Sequence, residues 1–172
     1  TFFSGFANVI NAIRRAPKFV VGRVQGKAVG GGVGLASAVD YCIATQHAAV
    51  KLSELAVGIG PFVVGPAVER KMGLSAMSQL AIDATEFRSA AWAQQHGLYA
   101  QVVDDATALD AAVDALAERL AGQSVEATVA LKNALWQGTE HWGELLLERA
   151  AVSGRLVRTD DAQRRIEAIL SK

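Results

Sequence analysis

Three consecutive glycines, Gly30, Gly31 and Gly32, separate an apolar run of strand length from VGLASAVDY, which can make about two helical turns. A run without side chains lets something approach the backbone closely, be it a phosphate, a packed helix or a reacting carbonyl oxygen. Phosphate-loop chemistry fails on spacing. Counted from Gly26, the G-x-x-x-x-G-K pattern reaches Gly31 but then meets Gly32 where lysine is required. Counted from Gly30, the dinucleotide pattern G-x-G-x-x-G meets Leu35 at its last position. Helix-on-strand packing is the plain alternative. A helix that starts here also presents N–H groups with no intrahelical partner, at the positive end of its dipole. Bare glycines would let a carbonyl or an oxyanion reach those groups, which is how an oxyanion hole is built.

Other reactive residue types are sparse. His47, His96 and His141 are isolated in sequence and read as surface or packing residues. The one cysteine, Cys42, reads as a buried strand residue, which leaves no disulfide framework and points to a reducing, cytoplasmic compartment. Asp40 ends a predicted helix and reads as structural. Lysine plus arginine equals aspartate plus glutamate at 17 each, so there is no electrostatic footprint for nucleic acid or an anionic membrane. The basic residues Arg155, Arg158, Arg164, Arg165 and Lys172 are interleaved with acids and read as a solvated helix face. With 51% hydrophobic and 20% charged residues, the 172-residue chain has a globular composition. No apolar run reaches the roughly 18–20 residues of a membrane span.

The elements that must position the glycines follow from periodicity and punctuation. Phe6, Val9, Ile10 and Ile13 recur at helical spacing and Pro17 closes that helix. The chain therefore begins inside an element. KFVVGRV, YCIAT and AVKL read as short strands, and ELAVGIGPFVVGP is the most turn-rich stretch. Helices follow. LSAMSQLAIDA is expected to carry Leu74, Met77, Leu80 and Ala81 on one face. Ser89 caps the next helix and Gly97 ends it. After a QVV strand, residues 106–121 place Leu109, Val113, Leu116 and Leu120 on one stripe. Ser124 caps a helix that Gly138 ends, and residues 139–172 read as one charged helical stretch centred on Leu145, Leu146 and Leu147.

VQGKAVGGGVGLASAVDYCIAT followed by LSELAVGIGP resembles the crotonase superfamily of enoyl-CoA hydratases and isomerases. EFRSAAWAQQHGLYAQVV and ERAAVSGRLVRTDDAQRRIEAIL are similar to that family's later segments. The resemblance implies an α/β fold, a spiral of ββα units followed by a C-terminal helical region. Residues 1–104 would be the C-terminal part of the spiral core and residues 105–172 a trimerisation region, in one continuous domain. The family's first part, with the other oxyanion donor, would precede Thr1. The resemblance further implies an acyl-CoA thioester substrate, a homotrimer or dimer of trimers, and neither metal nor cofactor beyond the coenzyme A of the substrate itself.

Carried over by position, Gly31 would supply an oxyanion N–H and Glu54 would be the catalytic carboxylate. Lys27, Gly30, Gly32, Gly34, Pro61 and Phe62 would contact substrate, Lys27 beside the adenine of coenzyme A and Phe62, with Val63 and Val64, along the acyl chain. Hydratases of the family carry a further glutamate where this chain has Gly34. Adding water needs both a base and an acid; moving a double bond from C3 to C2 needs one base that takes a proton and returns it. The loop, with its single Glu and its Pro-Phe, resembles the Δ3,Δ2-enoyl-CoA isomerases more than the hydratases. Two alternatives stand beside isomerisation: a hydratase using an acid from the unseen first part, and a catalytically silent binding subunit of the same fold.

Overall fold

The computed structural model describes residues 2–171. Helix α1 (Phe2–Arg15) stops just before Pro17 and leads into β1 (Val21–Val24), β2 (Ala28–Val29) and α2 (Gly31–Ala38). The pattern then repeats. Strands β3 (Tyr41–Thr45) and β4 (Val50–Lys51) lead through a 3-10 turn at Leu55–Val57 into α3 (Gly65–Ile82). Like strands pair with like: β1 lies parallel to β3 with Val21 opposite Tyr41, and β2 parallel to β4 with Ala28 opposite Val50. Parallel neighbours need a crossover between them, and α2 and the stretch ending in α3 provide it. The two ββα turns stack, α2 against α3, which is the spiral that the resemblance implies.

Helix α4 (Ala90–Gln95) and β5 (Gln101–Val103) complete the three-stranded sheet in the order β1-β3-β5. Four helices follow: α5 (Ala106–Ala121), α6 (Val125–Leu135), α7 (Trp142–Leu156) and α8 (Asp160–Leu170). The caps fall where the sequence places them. Ser89 Oγ accepts from Trp92 N and Ser124 Oγ from Ala127 N, and Gly97 takes a φ of 85° just past α4. Val33, Val50, Leu52, Val68 and Leu80 are fully enclosed between the spiral turns. Trp136 and Trp142 meet edge to face at 5.9 Å within the same core.

Three local expectations change. Strand β2 has two residues, too few for a period-two pattern to register. Helix α3 begins nine residues before Leu74, and Gly73, at φ 82° and ψ 161°, breaks its phase. Leu74 stands at that kink and is 65% exposed, whereas Ala76 and Leu80 face the core. The helix-like last stretch divides into two helices. Thr159 Oγ1 accepts from Ala162 N to start α8, and Leu146 is buried while the adjacent Leu147 turns outward.

Candidate active site

Strand β4 and helix α2 meet at Gly30. Its N–H donates to Lys51 O at 2.8 Å, extending the β2–β4 ladder by one bond, and the chain then turns at φ 55° and ψ −114° into the helix. That conformation is strained for any residue with a Cβ. Among the described residues, the N–H groups of Gly31 and Gly32 have no acceptor, as the first turn of a helix dictates.

Glu54 leaves β4 two residues after Leu52 and opens the 3-10 turn. Its carbonyl accepts from Val57 N at 3.2 Å and Ile59 N at 3.0 Å, and Gly58, at φ 77°, reverses the chain. This curl turns the side chain back across α2. Glu54 Oε1 lies 3.0 Å from where a Cβ on Gly30 would sit, so only glycine leaves room for it. Its other oxygen, Oε2, is buried and has no hydrogen-bond partner among the described residues. Burial pushes the Glu54 carboxyl above the ordinary carboxylate range, against a smaller lowering by its own backbone N–H.

Both groups open on one cavity of about 540 Å3. Phe3 and Phe6 from α1 and Val57, Ile59, Phe62 and Val63 from the glycine-rich loop make its walls apolar. Ser153 and Val157 from the end of α7 and Ile166 from α8 close the far side. The edge of the Phe6 ring lies against Gly31, where an added Cβ would come within 2.3 Å of a ring carbon. A largely apolar pocket with a half-satisfied carboxylate and helix N–H groups that have no acceptor among the described residues can stabilise an oxyanion and shuttle a proton beside it.

Of the residues singled out in the sequence, Gly30, Gly31, Glu54 and Phe62 come together around this cavity. Lys27 and Gly32 lie on a separate groove beside β1, and Lys27 Nζ sits over the Phe87 ring at 4.7 Å. Pro61 borders a neighbouring depression with Glu69 and Arg149. Gly34 is buried, and its side-chain space is filled by Val64. Asp40 belongs to a buried structural network, with Lys132 Nζ at 2.5 Å and Trp136 Nε1 at 2.7 Å. The Cys42 thiol is buried and pushed up to about 12. Among the described residues, no three histidines, cysteines or carboxylates gather to hold a metal, and no helix is long and apolar enough to cross a membrane. Arg164 and Arg165 pair with Asp161, and Arg158 bonds Gly154 O; Lys172 lies outside the described residues. Sequence reasoning missed the contributions of Phe3, Phe6, Ser153 and Ile166. They reach the cavity from the two ends of the chain, and no local motif marks them.

Stacked ββα turns that hold a carboxylate against a glycine-opened helix N-terminus define the crotonase class of folds. The chain belongs to the enoyl-CoA hydratase/isomerase family, whose model matches residues 1–168. It is 28% identical over 166 residues to the trans-2-decenoyl-[acyl-carrier-protein] isomerase of Streptococcus mutans, with 94% of this chain and 61% of that protein covered. It is 29% identical over 168 residues to the peroxisomal Delta(3,5)-Delta(2,4)-dienoyl-CoA isomerase of Arabidopsis thaliana, covering 95% of this chain and 59% of that protein. The chain thus spans about three fifths of the length of these curated relatives. A crystal structure of an enoyl-CoA hydratase from Mycobacterium avium subsp. paratuberculosis superposes with a TM-score of 0.88 at 26% identity, covering 98% of this chain and 69% of that one.

Proposed function

We propose that this protein shifts a double bond in an acyl thioester, from 3-enoyl to 2-enoyl, with Glu54 as its one proton-handling group. The observation that carries the reading is the buried Glu54 carboxylate, whose Oε2 has no partner among the described residues, on the same cavity as Gly31, whose N–H has no acceptor among them. The thioester oxygen accepts from Gly31 N–H. Glu54 removes a proton from C2, the electrons of that C–H bond form C1=C2 and move the carbonyl pair onto the oxygen, and Glu54 returns the proton at C4 to the C3=C4 pair as the C1=C2 pair shifts between C2 and C3 and the carbonyl re-forms. The double bond then stands between C2 and C3, and no atom is gained or lost. Burial supports this role, because a carboxylate held above its ordinary range is a stronger base. Curated relatives are named both isomerases and enoyl-CoA hydratases, so the preference for isomerisation rests on the single carboxylate and not on their names.

Coenzyme A is the carrier this reading favours, and assembly as a trimer or a dimer of trimers goes with it. The apolar Val125, Leu131 and Leu135 of α6, each more than half exposed, support a contact surface in the helical region. Glu54→Gln keeps the shape and removes the base. Conversion of 3-enoyl-CoA, followed by the rise of conjugated-thioester absorbance, is expected to fall by about 10²–10⁴ in that variant. Unchanged turnover overturns the role of Glu54. Loss of absorbance with crotonyl-CoA would instead indicate hydration, and binding without turnover a silent subunit.

A further inference from the structure

Gly30, which precedes α2 with non-helical φ and ψ, and Gly34, within α2, each leave a side-chain space that a residue further along the chain fills. At Gly30 the occupant is the Glu54 carboxylate. At Gly34 it is Val64, whose Cγ1 lies 2.3 Å and Cβ 2.6 Å from where a Cβ would be. Val64 also lines the Glu54 cavity and is only 4% exposed.

The plug is rigid. Val64 is the residue from which α3 starts, and its carbonyl accepts from Val68 N at 3.1 Å. Its branched side chain is stiff at χ1, and it is buried where α2 packs on α3. A side chain at position 34 therefore requires a smaller residue at 64. With both changes, a carboxylate at 34 would take the place of Val64 in the wall of the Glu54 cavity.

We propose that Val64, by occupying the side-chain space of position 34, is the specificity-determining residue that holds this site to one proton-handling group. The inference rests on the one-base reading above. One carboxylate can move a proton between two carbons of the same chain. Two can add water to a 2-enoyl thioester: one takes a proton as the water oxygen bonds C3, and the other gives a proton to C2. Val64 fills the space through which a side chain at position 34 would supply that second group.

The test compares Gly34→Glu, Val64→Gly and the double variant with the unaltered protein, scoring crotonyl-CoA hydration, 3-enoyl-CoA isomerisation and melting temperature. Gly34→Glu alone should lose on the order of 5 °C or more through overpacking and gain no hydration. Adding Val64→Gly should restore most of that loss and raise hydration at least about tenfold, a gain of 1.4 kcal/mol in barrier. A Gly34→Glu protein as stable as the unaltered one overturns the proposal, as does a folded double variant without added hydration. Should the double variant not fold, a smaller pair decides. Val64→Gly rescues the stability of Gly34→Ala if Val64 owns the space, since Val64 Cβ itself lies 2.6 Å from a Cβ at position 34, and strictly additive losses refute it. Absence of isomerisation in the unaltered protein would refute the role of Glu54 while leaving this stability coupling to be scored separately.

Discussion

Glu54 is reactive because of two residues that contribute no functional group of their own. Gly30 leaves room for its carboxylate, and Gly31 presents an N–H that no other group occupies. Phe6 completes the arrangement by laying its ring edge against the Cα of Gly31, which adds an apolar face to the cavity wall. Gly31→Ala would drive a methyl group into that ring. Isomerisation should drop by about 10²–10³, the scale of losing an oxyanion donor. Phe6→Ala placed on top of Gly31→Ala should recover part of the rate, read as kcat/KM. No recovery would mean that the methyl group acts on the backbone alone.

At the scale of elements, the site depends on how α2 is moored at its far end. Asp40 follows that helix and gathers four elements. Its carboxylate accepts from Val20 N at 2.8 Å just before β1, and from Lys132 and Trp136, one within α6 and one at its end. Lys132 Nζ donates as well to Ile13 O in α1 and to Lys18 O. The lysine is 2% exposed and the aspartate side chain 7%, so this is a desolvated pair, for which removing one partner strands a buried charge. Lys132→Met should destabilise the fold by about 3–5 kcal/mol in urea unfolding. Asp40→Asn combined with Lys132→Met should cost less than Lys132→Met alone, since no charge is then left unpaired. Ser89, Ser124, Gly97 and the strands β3 and β5 are legible in the sequence because their signals are local. The split between α7 and α8 is not, because the charged residues around Thr159 fit a helix interior as well as a helix start.

Over the whole molecule, catalysis and stability pull Glu54 in opposite directions. Burial raises its folded-state value above the 4.5 it regains on unfolding, so the folded protein favours the neutral acid. That preference is fully present below about 4.5 and is lost as pH rises through the raised value, so this group weakens folding across that window. The ionised base needed for proton abstraction is the less stable form. Glu54→Gln should therefore melt higher than the unaltered protein at pH 7, with the gap closing as pH falls below about 4.5. In the active protein the isomerisation rate should rise with pH through a value above 4.5. A Glu54→Gln melting curve that tracks the unaltered protein at every pH would remove burial as the source of the shift.

By itself the sequence determined the short-range features: the helix that must start at the glycines, the caps, the strands β3 and β5 and the family pattern around Glu54. Those rest on backbone sterics and periodicity, which act over a few residues and can be read along the chain. Tertiary structure decided what the site contains. Phe6 and Gly31, Val64 and Gly34, and Ile166 on the far wall are neighbours only because the two ββα turns stack and the terminal helices fold across them. Close packing between distant segments leaves no periodic trace, so the filling of Gly34's space became visible only when α2 and α3 were brought together.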